Sequence, residues 1–227
     1  MKMFYFTDPM CSWCYGFSPV LKKLKENYPD IDLQIVSGGF SPGSRQTVTN
    51  EYRDFLEYHW RNVTARSGQP FDHSMKFVSD TFHYDTEPSS RALAVVQKLL
   101  PDWDFEFLSL MQTSFYVKGK DITNGQVLAE IAAELGIEKQ VFLETFHSEE
   151  MKRRTIQGFD FSRQLGVQGF PTLLTLENAS VKVVTRGFQS YENMKIIIDG
   201  LFRKMASPVS GQGHSCTDDS CGTSSRK

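Results

Sequence analysis

A chain of 227 residues, 40% hydrophobic and 13% aromatic, can bury one substantial core and has room for a domain that carries an insertion. Lysine and arginine total 25 against 27 acidic residues, a formal charge of -2 that offers no surplus positive charge to phosphates, so no nucleic-acid partner is expected. The N-terminus runs through Met3-Phe4-Tyr5-Phe6 into a polar turn without an apolar stretch long enough for a signal peptide or a membrane span, and the expected setting is cytoplasmic, with no membrane partner.

Lys2 to Thr7 reads as a short aromatic strand that breaks at Asp8-Pro9, and Phe17 to Tyr28 carries apolar residues at helical spacing. The sequence Cys11-Ser12-Trp13-Cys14 therefore lies at a strand-to-helix junction. Ile31 to Val36 alternates as a second strand, and Ser37-Gly38-Gly39 marks an exit from this β-α-β start. From Arg45 to Phe161 the pattern predicts a run of helices. Candidates are Asn50 to Arg66, Ser89 or Ser90 to Leu100, Asn124 to Leu135 with Asn124 as N-cap and Gly136 as stop, Ile137 to Phe146, and Glu149 to Leu165. Strands return at Thr172 to Leu176 and Val181 to Arg186, joined by a hairpin, before a last helix over Tyr191 to Met205. Past Ala206 the composition turns to serine, glycine, aspartate and threonine, which predicts a flexible tail.

The four cysteines form two local pairs, Cys11 with Cys14 and Cys216 with Cys221. Local pairing in a cytoplasmic chain points to redox or metal chemistry rather than to a disulfide scaffold. At a helix start the first sulfur meets unsatisfied N–H groups and the positive end of the helix dipole, which lowers a thiol pKa to roughly 3.5–7.5. Cys11 is then the attacking thiol, expected to be exposed, and Cys14 the more buried resolving thiol. The alternatives are two core cysteines or half of a zinc site, whose other ligands would have to come from Cys216, Cys221 or His214; no metal is expected. Trp13, between the two thiols, is a candidate platform for a peptide substrate.

Gly169-Phe170-Pro171-Thr172 places a proline at the first residue of a strand, where it costs no ladder hydrogen bond. Together with the Cys-x-x-Cys helix start, this stretch resembles the thioredoxin superfamily. The resemblance implies a cis Phe170–Pro171 bond facing the thiols, with the Phe170 main chain offered to an extended substrate segment. Asp8-Pro9-Met10-Cys11-Ser12-Trp13-Cys14-Tyr15-Gly16-Phe17, Thr86-Glu87-Pro88-Ser89-Ser90-Arg91-Ala92 and Gly169-Phe170-Pro171-Thr172 are similar to cytoplasmic DsbA-like proteins of the FrnE group. The fold so implied is an α/β thioredoxin fold with a large helical insertion between its βαβ and ββα halves. Its parts would be residues 1–44, the insertion 45–161, residues 162–205, and the tail 206–227. Relatives in the same branch, the hydroxychromene carboxylate isomerases and kappa-class glutathione transferases, use serine where this chain has Cys11.

The function implied is a thiol–disulfide oxidoreductase or isomerase acting on protein or small-molecule disulfides. It needs no bound cofactor, and glutathione is a candidate co-substrate. A second set of relatives resembles protease adaptors, so binding of a partner without turnover is the alternative. Cys216 and Cys221 suggest a relay, since ten residues of flexible chain beyond Ala206 reach about 17 Å. Asp218 and Asp219 would raise the tail thiols' pKa and make them receivers rather than initiators of attack. Direction of electron flow and oligomeric state are not written in the residues.

Overall fold

Strand β1 (Lys2–Thr7) lies inside a four-stranded sheet of order β2-β1-β3-β4, parallel to β2 (Asp32–Ser37) and antiparallel to β3 (Thr172–Glu177), which pairs with the edge strand β4 (Ser180–Arg186). The computed structural model describes residues 1–79, 81–177 and 180–206. The expected tail and its pair Cys216 and Cys221 lie outside the described residues.

Both faces of β1 are covered, which is why its sequence is aromatic without a polar side. Met3 and Tyr5 lie on the face of α1 (Ser12–Asn27), with Tyr5 against Phe17, and Phe4 and Phe6 lie against Phe161 of α7. Between β2 and β3 the chain forms α2 (Asn50–Ser67), α3 (Glu87–Leu99), a single 3₁₀ turn (Pro101–Trp103), α4 (Asp104–Tyr116), α5 (Gly125–Ala133), α6 (Lys139–His147) and α7 (Glu149–Gln164). Helix α8 (Tyr191–Ala206) closes the second half of the sheet, with Tyr28 donating to Asp199 at 2.7 Å across to α1. This is the thioredoxin-like α/β arrangement with its helical insertion between β2 and β3.

The caps explain several boundaries. Asn124 accepts from Gln126 N at 2.8 Å at the start of α5, and Ser148 accepts from Met151 N at 3.3 Å at the start of α7. Helix α4 has no counterpart in the predicted elements. Phe105, Phe107, Leu108, Met111, Gln112, Ser114, Phe115 and Tyr116 are all buried, so the helix is covered nearly all round and shows no amphipathic stripe. Helix α1 starts five residues before its apolar spacing begins, with Cys11 itself as N-cap. Pro19 lies inside α1 and cannot donate to the Tyr15 carbonyl; Ser18 Oγ at 2.8 Å and Gln69 Nε2 at 3.3 Å occupy that carbonyl instead. Gln69 follows α2 directly, so the repair also joins the insertion to the helix that carries the thiols.

Candidate active site

Cys11 and Cys14 are both free thiols on the first turn of α1. The Cys14 backbone N–H donates to Cys11 Sγ at 3.4 Å, the helix N-terminal contact that the spacing implies. The Cys11 thiol in turn donates to the Phe170 carbonyl at 3.7 Å, and the Phe170–Pro171 bond is cis, so the helix tip and the proline segment face each other directly. The Phe170 ring lies over Gly38, where any Cβ would sit 2.0 Å from ring atom Cε1. The glycine pair after β2 is thus needed for close approach: Gly38 makes room for Phe170, and Gly39, at φ 74°, lies against Phe159.

Two expectations for Cys11 need correction. The residue is only 7% exposed rather than bare, although Cys14 is the more deeply buried at 0%. Its thiol is also pushed well above the usual range instead of below it. The first cause is its side-chain hydrogen bond with Cys14, followed by burial and by negative charge at Cys14 and Asp8; the Cys14 N–H works in the opposite direction. The Phe170–Pro171 segment, arriving from the far half of the chain, supplies the cover. Trp13 is half-buried, set between Phe188 at 6.0 Å and the Arg66 guanidinium at 5.8 Å, so part of the expected platform is already occupied by the protein's own side chains.

Asp8 is the residue whose place the sequence does not reveal. It is fully buried, with Oδ1 accepting from Met10 N at 2.9 Å and Oδ2 from Phe40 N at 2.8 Å, and it interacts with the Thr86 side chain. Burial raises its pKa to about 6 against these hydrogen bonds, which favour the anion. Thr86 also accepts from Ser41 N at 3.1 Å, and Tyr84 donates to the Met10 carbonyl at 2.8 Å. The loop that presents Cys11 is therefore held by β1's exit, the loop after β2 and the start of α3. The only trace of this in the residues is that Asp8 and Thr86 stand within two of the segments singled out. Among the described residues, no three of histidine, cysteine, aspartate and glutamate converge as metal ligands do.

Residues 4–196 match the thioredoxin family. The chain belongs to that family. Its fold is shared with the solved DsbA oxidoreductase SCO1869 from Streptomyces coelicolor, 16% identical at a TM-score of 0.72 over 99% of this chain and all of that one. This thioredoxin-family chain is 32% identical to a candidate protein disulfide isomerase from Nitrosomonas europaea, with 89% of this chain and 98% of that one superposed at a TM-score of 0.82. It is 25% identical to the cytosolic disulfide reductase DsbM from Pseudomonas aeruginosa over 90% of this chain and all of that one, at a TM-score of 0.74, and DsbM has also been solved with GSH. The ClpXP adapter protein SpxH of Bacillus subtilis is 27% identical over 176 residues, which cover 76% of this chain and 57% of the adapter. No helix among the described residues is long and apolar enough to cross a membrane.

Proposed function

We propose that this protein is a cytoplasmic thiol–disulfide oxidoreductase or isomerase in which Cys11 attacks and Cys14 resolves. The observation that carries the reading is the Cys11 Sγ held at 3.7 Å from the Phe170 carbonyl beside cis-Pro171, which joins a nucleophile and a main-chain docking point in one place. In the reduced protein that carbonyl is occupied by the thiol hydrogen. Ionisation of Cys11 releases it, so the nucleophile and the acceptor for an extended substrate become available together. The thiolate, retaining the Cys14 N–H, attacks one sulfur of a substrate disulfide and expels the other as a thiolate, which takes up the proton that Cys11 released. Cys14 then attacks Cys11 Sγ and releases the reduced substrate; run backwards, the same steps oxidise a substrate dithiol.

Phe170 and Pro171 bind the substrate main chain in this reading, and Trp13 with Phe188 and Arg66 forms the wall beside it. The disulfide-exchange assignments of the N. europaea protein and of DsbM support turnover, the name of DsbM supports the cytoplasmic setting, and its GSH complex supports glutathione as co-substrate. Cys216 and Cys221 would relay with the main pair. The second reading, an adaptor without turnover, is favoured by the SpxH relatives, of whose length the chain spans little more than half. Insulin reduction and refolding of a scrambled protein, run on the intact chain and on Cys11→Ser, separate the two. Turnover that vanishes in Cys11→Ser is expected. No turnover in either protein, with partner binding intact in both, would establish the adaptor.

A further inference from the structure

Strand β1 alternates, so Tyr5 and Thr7 point to the same face, the one covered by α1. Tyr5 is fully buried with its ring 5.9 Å from that of Phe17, which lies one turn beyond buried Cys14 on α1, and burial, with Cys14 next, pushes the Tyr5 hydroxyl pKa well up. Neither the Tyr5 nor the Thr7 hydroxyl completes a hydrogen bond while both cysteines are thiols. Idle buried hydroxyls are destabilising, and a pair of them beside a reactive sulfur points to another state in which they are used.

That state is the mixed disulfide. Once Cys11 is bonded to the substrate sulfur, Cys14 must act as the nucleophile, yet its sulfur is out of reach of water at 0% exposure. The helix N-terminus does not help, because the Cys14 N–H is directed to Cys11. A buried thiolate without a donor is costly, and hydrogen bonds to charged groups are roughly twice as strong as neutral ones.

We propose that the Tyr5 hydroxyl, oriented by Thr7, donates to the Cys14 thiolate and so accelerates the resolving step. Tyr5 stays protonated throughout. The Cys14 proton passes to the departing sulfur, so that Cys11–S–S–R plus Cys14–SH gives the Cys11–Cys14 disulfide plus R–SH. The inference rests on Cys11 being the attacking thiol.

The test is stopped-flow reaction of the reduced protein with an aromatic disulfide whose released thiolate is coloured. Attack by Cys11 releases the first coloured thiolate and resolution by Cys14 the second. In Tyr5→Phe the second phase is expected to slow by about tenfold to a hundredfold and to move to higher pH. The first phase should be unchanged and the melting temperature equal or higher. Thr7→Val, which removes only the orienting hydroxyl, should slow the second phase several-fold and keeps the test open if Tyr5→Phe does not fold. An unchanged second phase in the variants, or equal slowing of both phases, overturns the role of Tyr5. Absence of the first phase in the wild-type protein instead overturns the role of Cys11, so the two failures are distinguishable.

Discussion

Replacing Asp8 with asparagine changes how stability depends on pH by an amount the structure sets. Asp8 titrates at about 6 in the folded protein against 3.8 for an ordinary aspartate, because burial disfavours its charge. The native state therefore binds its proton more tightly than the unfolded chain does, so the contribution to stability is full below pH 3.8 and disappears as pH rises through 6. The difference of 2.2 units at 1.36 kcal/mol each gives about 3 kcal/mol in all. About 2 kcal/mol of it is lost between about pH 4.5 and about pH 7.5. Asp8→Asn has no such term. Its amide keeps one acceptor and turns its NH₂ against either Met10 N–H or Phe40 N–H, a loss that does not vary with pH. Urea unfolding of the two reduced proteins across that range should show the wild type losing about 2 kcal/mol relative to Asp8→Asn, the other titrating groups cancelling in the difference. A difference that stays flat from about pH 4.5 to about pH 7.5 would refute the placement of Asp8 as a buried carboxylate.

Gly38→Ala sets a methyl group 2.0 Å from the Phe170 ring, so Phe170 must move and carry its carbonyl away from Cys11; insulin reduction should fall about tenfold or more while Cys11 still alkylates. Gln69→Ala removes the contacts to the Tyr15 carbonyl and Ser18 Oγ that compensate for Pro19, and denaturant unfolding should report a loss of about 1 kcal/mol. Phe115→Ala opens the buried core of α4 where its ring lies 4.2 Å from Phe77, and the same measurement should show a loss of about 3–5 kcal/mol.

The four strands and most helices of the insertion were legible because their burial is one-sided or their ends are capped by named residues. Asn124 is such a local signal, complete within three residues of sequence. Helix α4 was not legible for the opposite reason: with apolar residues on nearly every side, its 3.6-residue period leaves no contrast. At the site, Cys11 and Cys14 could be named from their spacing and Phe170 and Pro171 from the resemblance to the thioredoxin superfamily, and the structure brings them together. What spacing could not convey was the consequence of that approach. The segment that offers main chain to a substrate also covers the sulfur, and this burial adds to the side-chain hydrogen bond with Cys14, the first cause that holds the Cys11 thiol above the range typical of a helix N-terminus. Asp8 with Thr86, and Tyr5 with Cys14, are contacts between segments distant in sequence or on opposite sides of a turn, and one chain carries no local mark of them.

Trapping with Cys14→Ser tests the central claim most directly. With the resolving thiol gone, a disulfide-containing polypeptide should remain joined to the protein, and peptide mass analysis should place the bond on Cys11 at close to one adduct per chain. A variant that captures nothing, together with a Cys11→Ser protein that keeps full turnover, would contradict disulfide exchange at this helix tip.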